Sequence, residues 1–129
     1  MELDRINGAK RTHYCGVLTR NDEGKNVTLY GWVQRRRDLG SLIFVDLRDR
    51  TGIVQLAFDD NTDRAVFEKA VTLRSEFVVS AQGTVRIRSS INTEIPTGEI
   101  EIEVTELKIL GLSETPPFEI LPDSNANEE

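Results

Sequence analysis

Between residues 27 and 109 every apolar segment but one follows a two-residue repeat. Val27, Leu29, Gly31 and Val33 alternate with Thr28, Tyr30, Trp32 and Gln34. In 41–48, Ile43, Val45 and Leu47 share one parity, and Phe44, Asp46 and Arg48 share the other. In 53–58, Val54, Leu56 and Phe58 oppose Ile53, Gln55 and Ala57. Such alternation places successive side chains on opposite faces of a strand. A fourth strand runs over 76–88 with Phe77, Val79, Ala81, Gly83, Val85 and Ile87 on its apolar side. The fifth sets Ile100, Ile102 and Val104 inward against Glu99, Glu101 and Glu103. Its parity breaks at Thr105-Glu106, because Leu107 and Ile109 are odd-numbered, which predicts a bulge. The exception lies between strands three and four. Val66, Ala70 and Leu73 stand four and three residues apart, with Phe67 beside them, which predicts a helix over 62–73. Asp60, Asn61 or Thr62 is its expected cap.

Three strands, one helix and two strands is the order of the OB-fold, an all-β class. The expected architecture is a five-stranded Greek-key barrel with one helix between strands 3 and 4. Closing the sheet removes the exposed edges that long alternating strands would otherwise present. A sandwich with a stray helix is the rival, and the place of the single helix disfavours it. Arg35–Gly40 reads as the turn after strand one, Asp49–Gly52 as a hairpin connection, and 89–98 as a polar loop. Residues 1–26 read as an N-terminal extension, 27–112 as the barrel, and 113–129 as a linker towards an absent following domain. The last segment, SETPPFEILPDSNANEE, holds three of the four prolines and no strand pattern. Its plainer reading is a frayed natural tail.

The 129 residues suit one domain, and the net charge of −6 argues against indiscriminate binding to nucleic acid. The charge is unevenly spread. All 16 basic residues and 17 of the 22 acidic ones precede residue 113, so the body is near neutral. A local triplet, Arg35-Arg36-Arg37, permits an anionic ligand at one place. The lone Cys15 allows no internal disulfide and reads as a small apolar filler. No apolar run approaches the ~20 residues of a membrane span, and the N-terminus has no hydrophobic signal stretch. A cytoplasmic protein is expected.

Phe44 is out of place by parity, since it shares a face with Asp46 and Arg48. OB-folds bind oligonucleotides on strands two and three and with the loops joining strands one to two and four to five. Gln55 lies on strand three on the matching face, the arginine triplet in the first loop, Arg86 and Arg88 at the mouth of the second, and Glu101 outward on strand five. Splayed bases of single-stranded RNA stack on aromatic rings, while polar groups bond their edges and arginines hold phosphates. A carboxylate near RNA repels phosphate, so Glu101 helps only by accepting from a base N–H. Each residue also has a plainer reading. Phe44 could be core in a bulged strand, Gln55 a solvated strand residue, the arginines a solvated loop, and the glutamates a solubilising face. The weight rests on their convergence.

Catalytic chemistry finds little to use. His13 is the only histidine, and no glycine loop of the phosphate-cradling kinds is present. The stretch DDNTD lacks the glycine and distal glutamate of a calcium loop, and helix capping explains it. These residues read as non-catalytic, with no metal site and no cofactor of their own.

GWVQRRRDLGSLIFVDLRDRTGIVQ (31–55), RSEFVVSAQGTVRIR (74–88), NTEIPTGEIEI (92–102) and LPDSNANEE (121–129) closely resemble the N-terminal anticodon-binding domain of bacterial aspartyl-tRNA synthetases. The likeness covers about residues 13–129. GWV-x-x-R-R-x-x-G with F-x-D-x-R-D is shared more loosely by asparaginyl- and lysyl-tRNA synthetases. The resemblance implies that Phe44 stacks on the middle anticodon base and Gln55 bonds that uridine. It implies that Arg37 contacts the third base, a cytosine, and that Glu101 accepts from the first, a guanine or its modified form. Asn92 and the arginines 35, 74, 86 and 88 would hold loop and backbone. Leu39 stands where members that also charge tRNA for asparagine often carry histidine, so it leans towards a discriminating enzyme. The implied partner is the anticodon stem-loop of tRNA(Asp), with no DNA and no membrane. The implied parent is a class II ligase, typically a homodimer, using ATP and Mg2+ in a domain beyond this linker. A free-standing single-strand-binding OB module and an OB protein-interaction domain are the alternatives.

Overall fold

A computed structural model describes residues 11–111. Strand β1 spans Asn26–Asp38, β2 Ile43–Asp49 and β3 Gly52–Phe58. Helix α1 spans Arg64–Val71, followed by β4 (Val78–Ile87) and β5 (Ile100–Gly111). The strands close into a barrel in the order β1-β2-β3-β5-β4. Only the β3–β5 pair is parallel. This is the expected five-stranded OB barrel with one helix between β3 and β4. The inward parity holds throughout: Ile43, Val45, Leu47, Val54, Leu56, Phe58, Ile100 and Ile102 are fully buried.

The predicted break in β5 is a bulge at Thr105. Gln82 pairs with Glu106 and Gly83 with Val104, so Thr105 is the extra residue, and its hydroxyl donates to Gln82 O at 3.1 Å. A second bulge, in β1, was not expected. The register slips between Val33 and Arg35 at Gln34, and β1 then continues through the arginines. Arg36 pairs with Val45, Arg37 with Phe44 and Asp38 with Ile43. The triplet therefore belongs to a strand and not to a turn. The reversal is the tighter Leu39–Leu42, closed by Leu39 N–H on Leu42 O at 2.8 Å, with Gly40 at φ +92° where a side chain would be strained.

Helix α1 is shorter than expected and is capped by none of the three candidates. Asp63 accepts from Ala65 N–H at 3.1 Å, whereas Asp59–Thr62 fold on themselves as a separate turn. Val66, Phe67, Ala70 and Leu73 still face the core. Gly31 admits another strand's backbone: a Cβ there would lie 2.3 Å from Arg48 O.

Of the expected extension, residues 1–10 lie outside the described residues, as does the expected linker 113–129. Residues 11–26 rest against the barrel, and Cys15 and Leu18 belong to its core. Asp49 anchors them. Its buried carboxylate accepts from Cys15 N–H (2.8 Å), Thr51 N–H (2.8 Å) and Thr51 Oγ1 (2.6 Å). Burial would raise this carboxyl's pKa, but the bonds from Thr51 and the Cys15 amide outweigh it and hold it below its ordinary value. The same site pushes the Cys15 thiol up, first by burial and then by the charge of Asp49. A depressed folded pKa stabilises above the unfolded value and loses that contribution as pH falls through the folded one. Asp49→Asn is expected to cost about 1–3 kcal/mol in urea unfolding at neutral pH. The gap from wild type should narrow below the ordinary value of 3.8.

Candidate nucleic-acid interface

Two cross-strand rows on the outer face of the barrel build the site. In one, Arg37 of β1 pairs with Phe44 of β2, which pairs with Ala57 of β3. In the other, Arg35, Asp46, Gln55, Glu101 and Arg86 follow one another across β1, β2, β3, β5 and β4. That second row reads cation, anion, amide, anion, cation. It exists because even-numbered residues of β2 and odd-numbered residues of β3 share the outer face, and the Gln34 bulge brings Arg35 onto it.

All of these residues but Ala57 and Arg86 floor a concave groove of about 560 Å³, walled by the β4–β5 loop. Phe44 is half-buried and its ring lines the groove. Its cross-strand neighbour Ala57 is small, so no large side chain crowds the ring from β3. The Arg37 guanidinium carbon lies 5.5 Å from the ring centroid.

Gln55 is the hub, and it is buried, not solvated. Its Oε1 accepts from Arg37 Nη2 at 2.9 Å and from Arg88 Nη2 at 2.6 Å. Its Nε2 donates to Glu101 Oε1 at 2.8 Å. Glu101 is buried as well, with its other oxygen accepting from Arg86 Nε at 2.8 Å. Arg86 also reaches Asp59 at 3.2 Å and Glu103 at 3.4 Å. Burial alone would lower the pKa of Arg86, but the bonds to Glu101 and Asp59 outweigh it and raise it. Arg88 goes the other way: burial dominates and lowers its pKa, despite the charges of Glu101 and Asp46. Its Nε is buried without an acceptor among the described residues.

Of the residues singled out from sequence, Arg35, Arg37, Phe44, Gln55, Arg88, Asn92 and Glu101 line this one groove. Asn92 also shapes the wall: its N–H meets Gly98 O at 3.0 Å and its Oδ1 accepts from Glu94 N–H at 2.9 Å. Arg86 stands behind Glu101 and does not line the groove. Leu39 is 64% exposed at the β1–β2 reversal, off the lining. Arg74, exposed between α1 and β4, is not part of the lining either. Sequence reasoning missed Gln34, Asp46, Ile53 and the Ser89–Ile91 wall as lining residues. Parity could have found Asp46 and Ile53, which share the faces of Phe44 and Gln55. Among the described residues no group of His, Cys, Asp and Glu could hold a metal ion.

A groove that offers an aromatic plate beside fixed donors and acceptors suits planar, edge-polar ligands. The family model described as the OB-fold nucleic acid binding domain, of the tRNA anticodon type, matches residues 27–110. The chain belongs to that family. This OB domain is 53% identical over 128 residues to the aspartate–tRNA(Asp/Asn) ligase of Halothermothrix orenii, covering 98% of the chain and 22% of the relative. It is 52% identical to the aspartate–tRNA ligase of Ruminiclostridium cellulolyticum, covering 98% and 21%. The OB domain thus spans about a fifth of the curated relatives it matches. Among solved structures, asparaginyl-tRNA synthetase from Pyrococcus horikoshii complexed with asparaginyl-adenylate matches with a TM-score of 0.67 and 34% identity. That match covers 84% of this chain and 24% of that one. The OB domain corresponds to the anticodon-binding domain of aspartate–tRNA ligases.

Gln55→Leu keeps the volume but leaves two guanidiniums without their shared acceptor. A loss of about 1–3 kcal/mol in chemical unfolding is expected, with the strand signature of the barrel retained in circular dichroism.

Proposed function

We propose that this OB domain reads the GUC anticodon of tRNA(Asp) for a longer aspartate–tRNA ligase. The observation that carries the reading is Phe44, a half-exposed ring in a groove whose polar neighbours are already bonded in fixed orientations. The middle base stacks on Phe44. Gln55, its oxygen occupied by two guanidiniums, offers Nε2–H to a carbonyl of that uridine. Arg37, between the ring and Gln55, meets the third base. Glu101 accepts from the first base, its charge offset by Arg86, so the repulsion from phosphate is reduced. Arg35 and Arg88 hold the backbone. Asn92 supports the loop wall, Arg86 acts through Glu101, and Arg74 is left with at most a peripheral backbone contact.

Leu39, at the tip of the β1–β2 reversal, faces nucleotides flanking the third base and favours tRNA(Asp) over tRNA(Asn). Aspartate activation with ATP and Mg2+, and homodimer formation, belong to the remainder of the longer protein. The groove itself suits Mg2+ poorly, because Asp46 and Glu101 stand among the guanidiniums of Arg37, Arg86 and Arg88. Among the described residues no helix is long and apolar enough to cross a membrane, and a cytoplasmic setting follows from the tRNA substrate.

A titration with a GUC-loop hairpin and a scrambled-loop hairpin tests the reading. The GUC loop is expected to bind more tightly, and Phe44→Ala to remove about 1–3 kcal/mol of that affinity. Equal binding of both loops would fit a non-specific single-strand module. No binding of either would point to a protein partner.

A further inference from the structure

The basic residues do not end at the groove. Tyr14 carries two guanidiniums on one ring: the Arg11 and Arg50 carbons lie 4.5 and 4.8 Å from its centroid. Arg50 Nη2 also donates to Tyr14 Oη at 3.0 Å, and Arg11 lies 5.5 Å from the Tyr30 centroid. Both arginines are exposed, and neither has a carboxylate partner among the described residues. Among the described residues, the acids that precede Arg50 on β2, Asp46 and Asp49, are committed elsewhere. Asp49 is buried and filled by the Cys15 amide and Thr51, and Asp46 faces the groove.

Two like charges on one ring repel, yet the surrounding structure holds them together. Asp49 ties the segment carrying Tyr14 to the turn carrying Arg50. Gly16 N–H donates to Thr51 Oγ1 at 2.7 Å, and a Cβ on Gly16 would stand 2.1 Å from Thr51 O. Two chain segments far apart in sequence are therefore joined so closely that only glycine fits. What they present at the surface is the arginine–tyrosine–arginine stack.

Arg50 of this stack follows directly on β2, the strand that carries Phe44 and Asp46 into the groove. Along β2 the outward residues are Phe44, Asp46 and Arg48, and Arg50 follows at the turn. Arg48 donates to Gln34, the groove's edge, and pairs across the sheet with Trp32. At about 3.4 Å per residue, Arg50 stands roughly 20 Å from Phe44. RNA with its loop bases in the groove must lead its strands away over such a distance, and their phosphates carry the complementary charge. Guanidiniums held in place by stacking suit phosphate oxygens, which they bind in pairs.

We infer that Arg11 and Arg50, stacked on Tyr14, form a second RNA contact that grips the phosphate backbone of the stem leading out of the groove. The inference rests on the anticodon reading above and extends it from the loop to the stem.

The test compares the 129-residue chain with its Arg11→Gln/Arg50→Gln variant, titrated with a GUC-loop hairpin and with the trinucleotide GUC, which cannot span the distance. The variant should bind the hairpin about tenfold more weakly, and its salt slope should flatten by roughly 1.4–1.8, the value for two lost phosphate contacts. Binding of the trinucleotide should not change. Arg11→Lys/Arg50→Lys should restore most of the salt slope, because the charges return. Unchanged hairpin affinity and slope would overturn the stem contact and leave the anticodon reading standing. An equal loss for the trinucleotide would also overturn it, since the pair would then act through the groove. If the wild-type chain bound neither RNA, the anticodon reading itself would fail, and the stem contact with it.

Discussion

The amide of Gln55 decides what every other group in the groove can do. One carbonyl oxygen takes donors from Arg37 and Arg88, and one N–H goes to Glu101. Two guanidiniums this close repel each other, and they are held by a shared acceptor with carboxylates on either side. The polar groups are thus oriented before any ligand arrives. Binding then need not supply the cost of ordering four long side chains, which would otherwise amount to about 0.5–1.5 kcal/mol each. The same network explains how an acidic chain can receive a polyanion. The acids on the floor are each offset locally, and the cations keep donors to spare.

The barrel exists to hold that hub in register. Gln55 meets Arg37 and Glu101 only because β3 lies between β2 and β5, and because the Gln34 bulge shifts the arginines of β1 onto the outer face. Asp49, one turn away, ties the N-terminal residues to the β2–β3 connection with three hydrogen bonds. Backbone approach at Gly31 and packing of α1 over the core keep the strands closed. Asp49, Gly31 and α1 all lie outside the groove lining.

Much of this was legible from alternation alone. The five strands, the single helix, the Thr105 bulge and the shared face of Phe44 and Gln55 all follow from a two-residue period that breaks where the chain bulges. The extension of β1 through Arg35–Arg37 was hidden because three like residues carry no apolar alternation. Helix capping was ambiguous because DDNTD offers five residues able to cap, and the turn closed by Asp59 and Thr62 claims the earlier ones. Cys15 and Leu18 are too sparse to announce a core segment. Alternation also gives a side chain's face and not what covers it. Glu101 read as an outward acceptor, with no sign in the pattern that it is buried and bonded by Arg86 of β4. Arg74 entered through the family resemblance and not through alternation, and it stands off the groove lining.

Gln55 is already locked in the unbound protein, and its side-chain amide reports this directly. In a nitrogen-15 spectrum of the free chain, the Nε2 proton donated to Glu101 should exchange slowly with solvent and show a restricted side chain. Adding a GUC-loop hairpin should shift the other Nε2 proton and leave the first in place. Rapid exchange of both protons in the free protein, with ordering only after RNA is added, would contradict a preformed hub.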